Sequence, residues 1–155
     1  MSRHPGPPEY RGSGCINWAL YDGVSEYGVT AHFVGEQVDA GRIIKVIRFE
    51  VGQADSVSTL LRRTHEHCLQ LASELARGIA NEGVDYLCLR ANLAADEKWQ
   101  GPIRRMSSID SLSRVHPNIT RKELERVIRA TNTREFPTYV EILGYRFFLT
   151  GQDVP

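Results

Sequence analysis

Two residues have the types and setting for chemistry. His4 opens the loop His4-Pro5-Gly6-Pro7-Pro8-Glu9-Tyr10-Arg11-Gly12, and Asp39 sits in Asp39-Ala40-Gly41. Proline fixes φ and glycine allows turns that other residues resist, so His4 is held on stiff backbone. An imidazole with its ordinary pKa of ~6.5 takes or gives a proton near neutrality. A carboxylate beside it orients the ring and favours its cation. At neighbouring strand ends the two would form an acid–base pair. Other titratable groups offer less. His65 and His67 flank Glu66 at i,i+2 spacing, which puts them on different faces of a helix and argues against a shared metal. Cys15, Cys68 and Cys88 make no CxxC pair, so no zinc site or disulfide framework is expected.

The elements that must carry these residues are legible in part. Cys15 to Asp22 reads as a short helix with Ile16, Ala19 and Leu20 on one face, Ser13 as N-cap and Gly23 ending it. Asn17 on that helix is a candidate to face a cleft. Gly28 to Val34 is rich in β-formers, and Gly35 to Gly41 is the turn that holds Asp39. Arg42 to Val51 reads as a strand covered on both faces at its apolar start. Asp55 or Ser56 caps a long amphipathic helix whose stripe is Val57, Leu60, Leu61, Thr64, Cys68, Leu71, Leu75 and Ile79, with an end near Gly83. Val84 to Leu89 is expected as a strand. Residues 90–118 show no clean period and are expected as a linker. Thr120-Arg121-Lys122-Glu123 is a capping box that opens a helix. Tyr139 to Leu143 and Tyr145 to Leu149 read as two strands around Gly144.

In order and spacing, the motifs of residues 2 to 80 resemble the formyltransferases that use 10-formyltetrahydrofolate. Their signature is Asn-x-His-Pro, a loop ending in a Tyr/Arg-Gly pair, a helix, Gly-x-Thr-x-His and Asp-x-Gly. Here these are His4-Pro5, Tyr10-Arg11-Gly12, Gly28-Val29-Thr30-Ala31-His32 and Asp39-Ala40-Gly41. The resemblance implies an α/β fold: the later portion of a Rossmann-like formyltransferase domain over 1–89, a linker over 90–118, and a small α+β extension of helix and hairpin over 119–155. The family has several β–α units before this strand, so the chain is expected to be a short product or one read from a late start. The resemblance implies His4 and Asp39 as catalytic, and Ser2 at the position of the family's Asn. That Asn polarises the formyl oxygen. Ser2 offers a hydroxyl where the amide N–H would be, and losing one oxyanion donor typically costs ~10²–10³ in rate. Tyr10, Arg11, Gly12 and Thr30 are then expected to bind substrate, and Asp39 and Gly41 to meet the cofactor, 10-formyltetrahydrofolate, which acts as formyl donor. His32 is expected either to be structural or to line the cleft.

Composition bounds the rest. The 155 residues are 41% hydrophobic and 25% charged, with Lys plus Arg equal to Asp plus Glu at 19 each, which suits one globular unit and argues against a general nucleic-acid binder. Arg62-Arg63 and Arg104-Arg105 are expected to be solvated. No apolar run reaches the ~20 residues of a membrane span. A cytoplasmic setting is the simplest for three unpaired thiols. Three readings stay open. The first is a formyltransferase acting on a small-molecule amine such as a sugar nucleotide, on a ribonucleotide amine or on an aminoacyl-tRNA. The second is an inactive remnant of the family that binds a partner. The third is a hydrolase that deformylates the same folate. An exposed sheet edge or the C-terminal hairpin is expected to make any homodimer contact.

Overall fold

A computed structural model describes residues 1–150. The last five residues of the expected C-terminal unit lie outside the described ones. Strand β1 (Ser2–His4) leads through the loop and the short β2 (Arg11–Gly12) to helix α1 (Cys15–Asp22). Strands β3 (Glu26–His32) and β4 (Ile43–Glu50) follow, then the long helix α2 (Val57–Glu82) and α3 (Asp85–Leu93). The remainder is β5 (Ile103–Arg104), α4 (Ser107–Ser113), β6 (Arg114–Val115), α5 (Arg121–Ala130), β7 (Tyr139–Ile142) and β8 (Tyr145–Phe148).

The central sheet has the order β1-β3-β4, and both of its ladders are antiparallel. Two apolar clusters hold helices onto it. Leu20, Ala19, Tyr27, Leu60 and Ala130 join α1, β3, α2 and α5. Val29, Ala31, Ile44, Leu71, Leu75 and Ala91 join β3 and β4 to α2 and α3. Truncating a fully buried leucine such as Leu71 or Leu75 to alanine typically costs about 2–5 kcal/mol, so α2 is a main anchor of the sheet. Its N-terminus is Ser56, which accepts from the Thr59 amide in a reciprocal capping box. Leu61 and Ile79 of the expected stripe fall at its edges, and Leu61 is exposed. On β4, Ile43 and Ile44 are buried and the following residues only half-buried.

The structure corrects four local expectations. Val84 to Leu89 is not a strand but the first part of α3. Its short apolar run has no decisive period. Gly83, with φ 76°, turns the chain back, and the Tyr86 ring then lies against Gly78 of α2, where a Cβ would overlap it. That docking, not local propensity, makes the segment helical. The N-cap of α1 is Gly14 in a left-handed conformation, not Ser13. Residues 90–118, expected as a linker, hold the end of α3, β5, α4 and β6; β5 pairs with β2 and β6 with β7. Helix α5, expected in a separate extension, packs against α1. Thr120 caps α5 as expected by accepting from the Glu123 amide. The turn between β7 and β8 places Leu143 and Gly144 at φ 52° and 84°, the positive pair that a two-residue hairpin requires.

Candidate active site

The site forms where β1 ends, β3 ends and the turn after β3 folds back. Alternation along β1 puts Ser2 and His4 on one face, and Ser2 pairs with His32 in the register of β3. The turn carries Asp39 at φ 46°, a left-handed conformation that aspartate tolerates better than most residues. Gly41 closes it, because a Cβ there would overlap the Phe33 carbonyl oxygen.

His4 and Asp39 meet. Nδ1 of His4 lies 3.2 Å from Oδ2 of Asp39. The same oxygen accepts the Gly12 amide at 2.9 Å. Arg11 donates its Nε–H to the Asp39 carbonyl at 3.0 Å. The loop expected to bind substrate therefore holds the carboxylate from beneath. The other ring nitrogen of His4, Nε2, sits 2.6 Å from the Tyr10 carbonyl oxygen and 3.6 Å from the Cys15 sulfur. His4 is buried. Burial pushes its pKa down, against the Tyr10 carbonyl and the Asp39 carboxylate, which push it up. Only an imidazolium donates to Asp39 and Tyr10 together, and that is the form burial disfavours. A neutral His4 leaves one of the two acceptors without a proton. Burial also raises the Cys15 thiol, to about 12. Cys15 is thus a neutral donor, to the Gly12 carbonyl at 3.3 Å, rather than a thiolate nucleophile.

His32 joins the cluster. Its Nε2 is 3.9 Å from Oδ1 of Asp39, and its Nδ1 is 2.9 Å from the Phe33 carbonyl, to which it donates. Thr30, expected to bind substrate, is fully buried, and its hydroxyl donates to the Gly6 carbonyl at 2.8 Å, tying the loop to β3. Tyr10 reaches the site through its carbonyl; its phenol donates to Asp22 instead. Asn17 is likewise turned inward, with Nδ2 donating to the Ala130 carbonyl at 2.7 Å. Arg104 stacks over the Trp18 ring and Arg63 pairs with Asp55, so neither basic cluster is purely solvated. Trp99 went unread in the sequence. Its Nε1–H donates to the Gly41 carbonyl at 2.7 Å, and its ring lies beside both imidazoles. The only signal was an aromatic residue alone in the polar run Asp96-Glu97-Lys98-Trp99-Gln100. Among the described residues, no group of three or more His, Cys, Asp or Glu side chains is arranged to hold a metal ion.

A family model described as formyl transferase matches residues 3–89, more than half of the chain and the stretch that holds His4, His32 and Asp39. This chain belongs to the formyl transferase family. Its relatives include the methionyl-tRNA formyltransferase of Phocaeicola vulgatus, 34% identical over 68 residues, which are 44% of this chain and 20% of that protein. The chain thus spans about a fifth of the length of the curated relatives it matches. Solved structures align over far more of it. A 4-N formyltransferase from Francisella tularensis has a TM-score of 0.74 at 17% identity, covering 97% of this chain and 60% of its own. An N-formyltransferase from Helicobacter canadensis, solved with folinic acid and dTDP-3-aminofucose, has a TM-score of 0.67 at 19% identity, covering 93% and 51%. The mixed α/β fold of this chain is therefore theirs, over far more of its length than the sequence match reaches.

Proposed function

We propose that this chain carries the acid–base pair of a formyl transfer from 10-formyltetrahydrofolate to a small-molecule amine. The observation that carries the proposal is the contact of 3.2 Å between His4 and Asp39 within the family-matched stretch. The acceptor nitrogen attacks the formyl carbon, and the carbon's bond to the folate nitrogen breaks. One proton leaves the acceptor and one returns to the folate. His4 moves it, while Asp39 orients the imidazole and stabilises its cation. Ser2, on the same strand face as His4, is the nearest counterpart of the family's Asn and supplies a hydroxyl toward the developing oxyanion. Arg11 and Gly12 act by holding Asp39, and Gly41 shapes the turn against which the folate would lie. An amino sugar on a nucleotide is the acceptor we favour. The structures that align over more than nine-tenths of this chain include an N-formyltransferase solved with dTDP-3-aminofucose.

One feature favours a second reading, an inactive remnant that binds a partner. Nε2 of His4 is capped by the Tyr10 carbonyl, so transfer requires the loop 5–10 to release it. A second copy of this chain is the partner the surface suits. Leu143, Tyr145, Phe147 and Phe148 are exposed on the hairpin, and the outer edge of β8 is unpaired among the described residues. Two such edges can pair about a two-fold axis.

The test incubates the chain with 10-formyltetrahydrofolate and a nucleotide-linked amino sugar, following formylated product. His4→Ala and Asp39→Ala should each abolish transfer with the fold intact, and Ser2→Asn should raise it. Undiminished transfer in either alanine variant would refute the assigned roles. No binding of the folate at millimolar concentration by calorimetry would leave the remnant reading in its place.

A further inference from the structure

The segment from Glu97 to Arg104 runs as a strap along the loop that carries His4. Glu97 pairs with Arg48 at 2.9 Å, and Arg48 holds Glu9 of the loop at 3.0 Å. The Gln100 amide donates to the Pro8 carbonyl at 2.9 Å, and the Ser13 amide donates to the Arg104 carbonyl at 2.9 Å. At its end, β5 pairs with β2. Between these ties hangs Trp99. Its ring centre is 5.4 Å from that of His4 at 77°, and 5.1 Å from that of His32 at 89°. Its Nε1–H is fixed on the Gly41 carbonyl, two residues past Asp39. Trp99 belongs to neither apolar core cluster, so its placement is not core filling. It also lies beyond residue 89, where the family match ends.

We propose that Trp99 is a positioning residue of the site: one indole sets the orientation of both imidazoles and, through the Gly41 carbonyl, the turn that presents Asp39. The proposal rests on reading the His4–Asp39–His32 cluster as the place of transfer. Three contacts from one rigid ring fix three groups that come from β1, β3 and the turn. Perpendicular aromatic contacts of this kind hold ring angles as well as distances. The indole also helps to exclude water from His4, and burial is the largest influence on that ring's protonation. The groups facing His4 are Asp39, His32, Arg11, Cys15 and the Tyr10 carbonyl. Those facing His32 are Asp39 and the Phe33 carbonyl. Arg42, Glu97 and Lys98 lie beside the indole in a shallow recess of about 290 Å³.

The experiment is a proton NMR titration of the histidine rings in the whole chain. It compares the wild type with Trp99→Ala, Trp99→Phe and, as a control at the second tryptophan, Trp18→Phe. In Trp99→Ala water reaches His4, so its titration midpoint should rise measurably toward the ordinary histidine value. Trp99→Phe keeps an aromatic wall but loses the bond to Gly41. It should move the His4 midpoint by less and still measurably, and shift the His32 ring protons through the changed ring current of the neighbouring aromatic, with far-UV dichroism unchanged, while Trp18→Phe leaves both in place. Unchanged midpoints in folded Trp99→Phe and Trp99→Ala overturn the proposal. If Trp99→Ala fails to fold, Trp99→Phe decides: wild-type midpoints there mean that the indole only fills space. The readout needs no turnover, so an inactive wild type would count against the transfer reading and not against this one.

Discussion

The Asp39 turn and the β7–β8 hairpin are both reversals closed by glycine, and they are built on opposite principles. Around Asp39 every group is crowded. Its carboxylate meets His4 and the Gly12 amide, Gly41 fits only because it lacks a Cβ, and an indole covers the result. Around Gly144 nothing lies within 4 Å of where a Cβ would be. Leu143 beside it is 93% exposed. The hairpin turn is dictated by local backbone conformation, with φ positive at both central residues. The Asp39 turn is dictated by what the rest of the molecule presses against it. The first kind of reversal tolerates change; the second transmits it to the site.

Substitutions test that contrast. Gly41→Ala should be the most damaging, because the new methyl meets backbone that cannot rotate away. We expect a loss of about 3 kcal/mol or more, measured by urea denaturation. Gly144→Ala should cost only the strain of a left-handed L-residue, about 1–2 kcal/mol. Equal losses at the two glycines would mean that both turns are held by the same forces.

A pH experiment separates the regions by their titrating groups. Burial holds the folded His4 pKa below its ordinary value. Between that lowered pKa and the unfolded value of ~6.5 the unfolded chain binds more protons, so stability rises with pH. His4's contribution is complete above the unfolded pKa and is lost as pH falls through the folded one. Urea midpoints measured on both sides of about pH 6.5 should fall toward acid, and His4→Gln should flatten that fall. A His4→Gln slope identical to the wild type would mean that this imidazole is not held neutral by burial. The smallest effect on stability is expected from Phe147→Ser on the exposed strand, within about 0.5 kcal/mol. Light scattering should nevertheless show a lower mass if the hairpin pairs two copies. A mass unchanged with concentration in the wild type would remove the dimer.

How much was legible follows the same division. Local rules found what local forces make. The repeating apolar stripe located α2, the threonine at 120 located the start of α5, and the two strand-like runs on either side of Gly144 located the hairpin. The His4 and Asp39 motifs were readable because each is a backbone device, a Pro/Gly loop and an Asp-x-Gly turn, kept at family spacing. Val84 to Leu89 was misread since its six residues fit either period, and the choice was made by the Tyr86 ring lying on Gly78. Asn17, read as a candidate to face a cleft, and Thr30, expected by resemblance to bind substrate, are tied inward instead, because a polar side chain in a sequence says only that it needs a partner. Their partners, the Ala130 and Gly6 carbonyls, are distant in the chain.

By itself the amino-acid sequence determined the family, the main helices and the two residues that could exchange a proton, all of which rest on contacts a few positions apart or on motifs with set spacing. Only the tertiary structure decided that Tyr10 caps the free nitrogen of His4 through its carbonyl, that Arg11 and Gly12 serve Asp39, and that Trp99 covers both imidazoles. Those facts depend on segments brought together across the fold. No periodicity encodes a hydrogen bond to a backbone carbonyl, since every residue carries the same one.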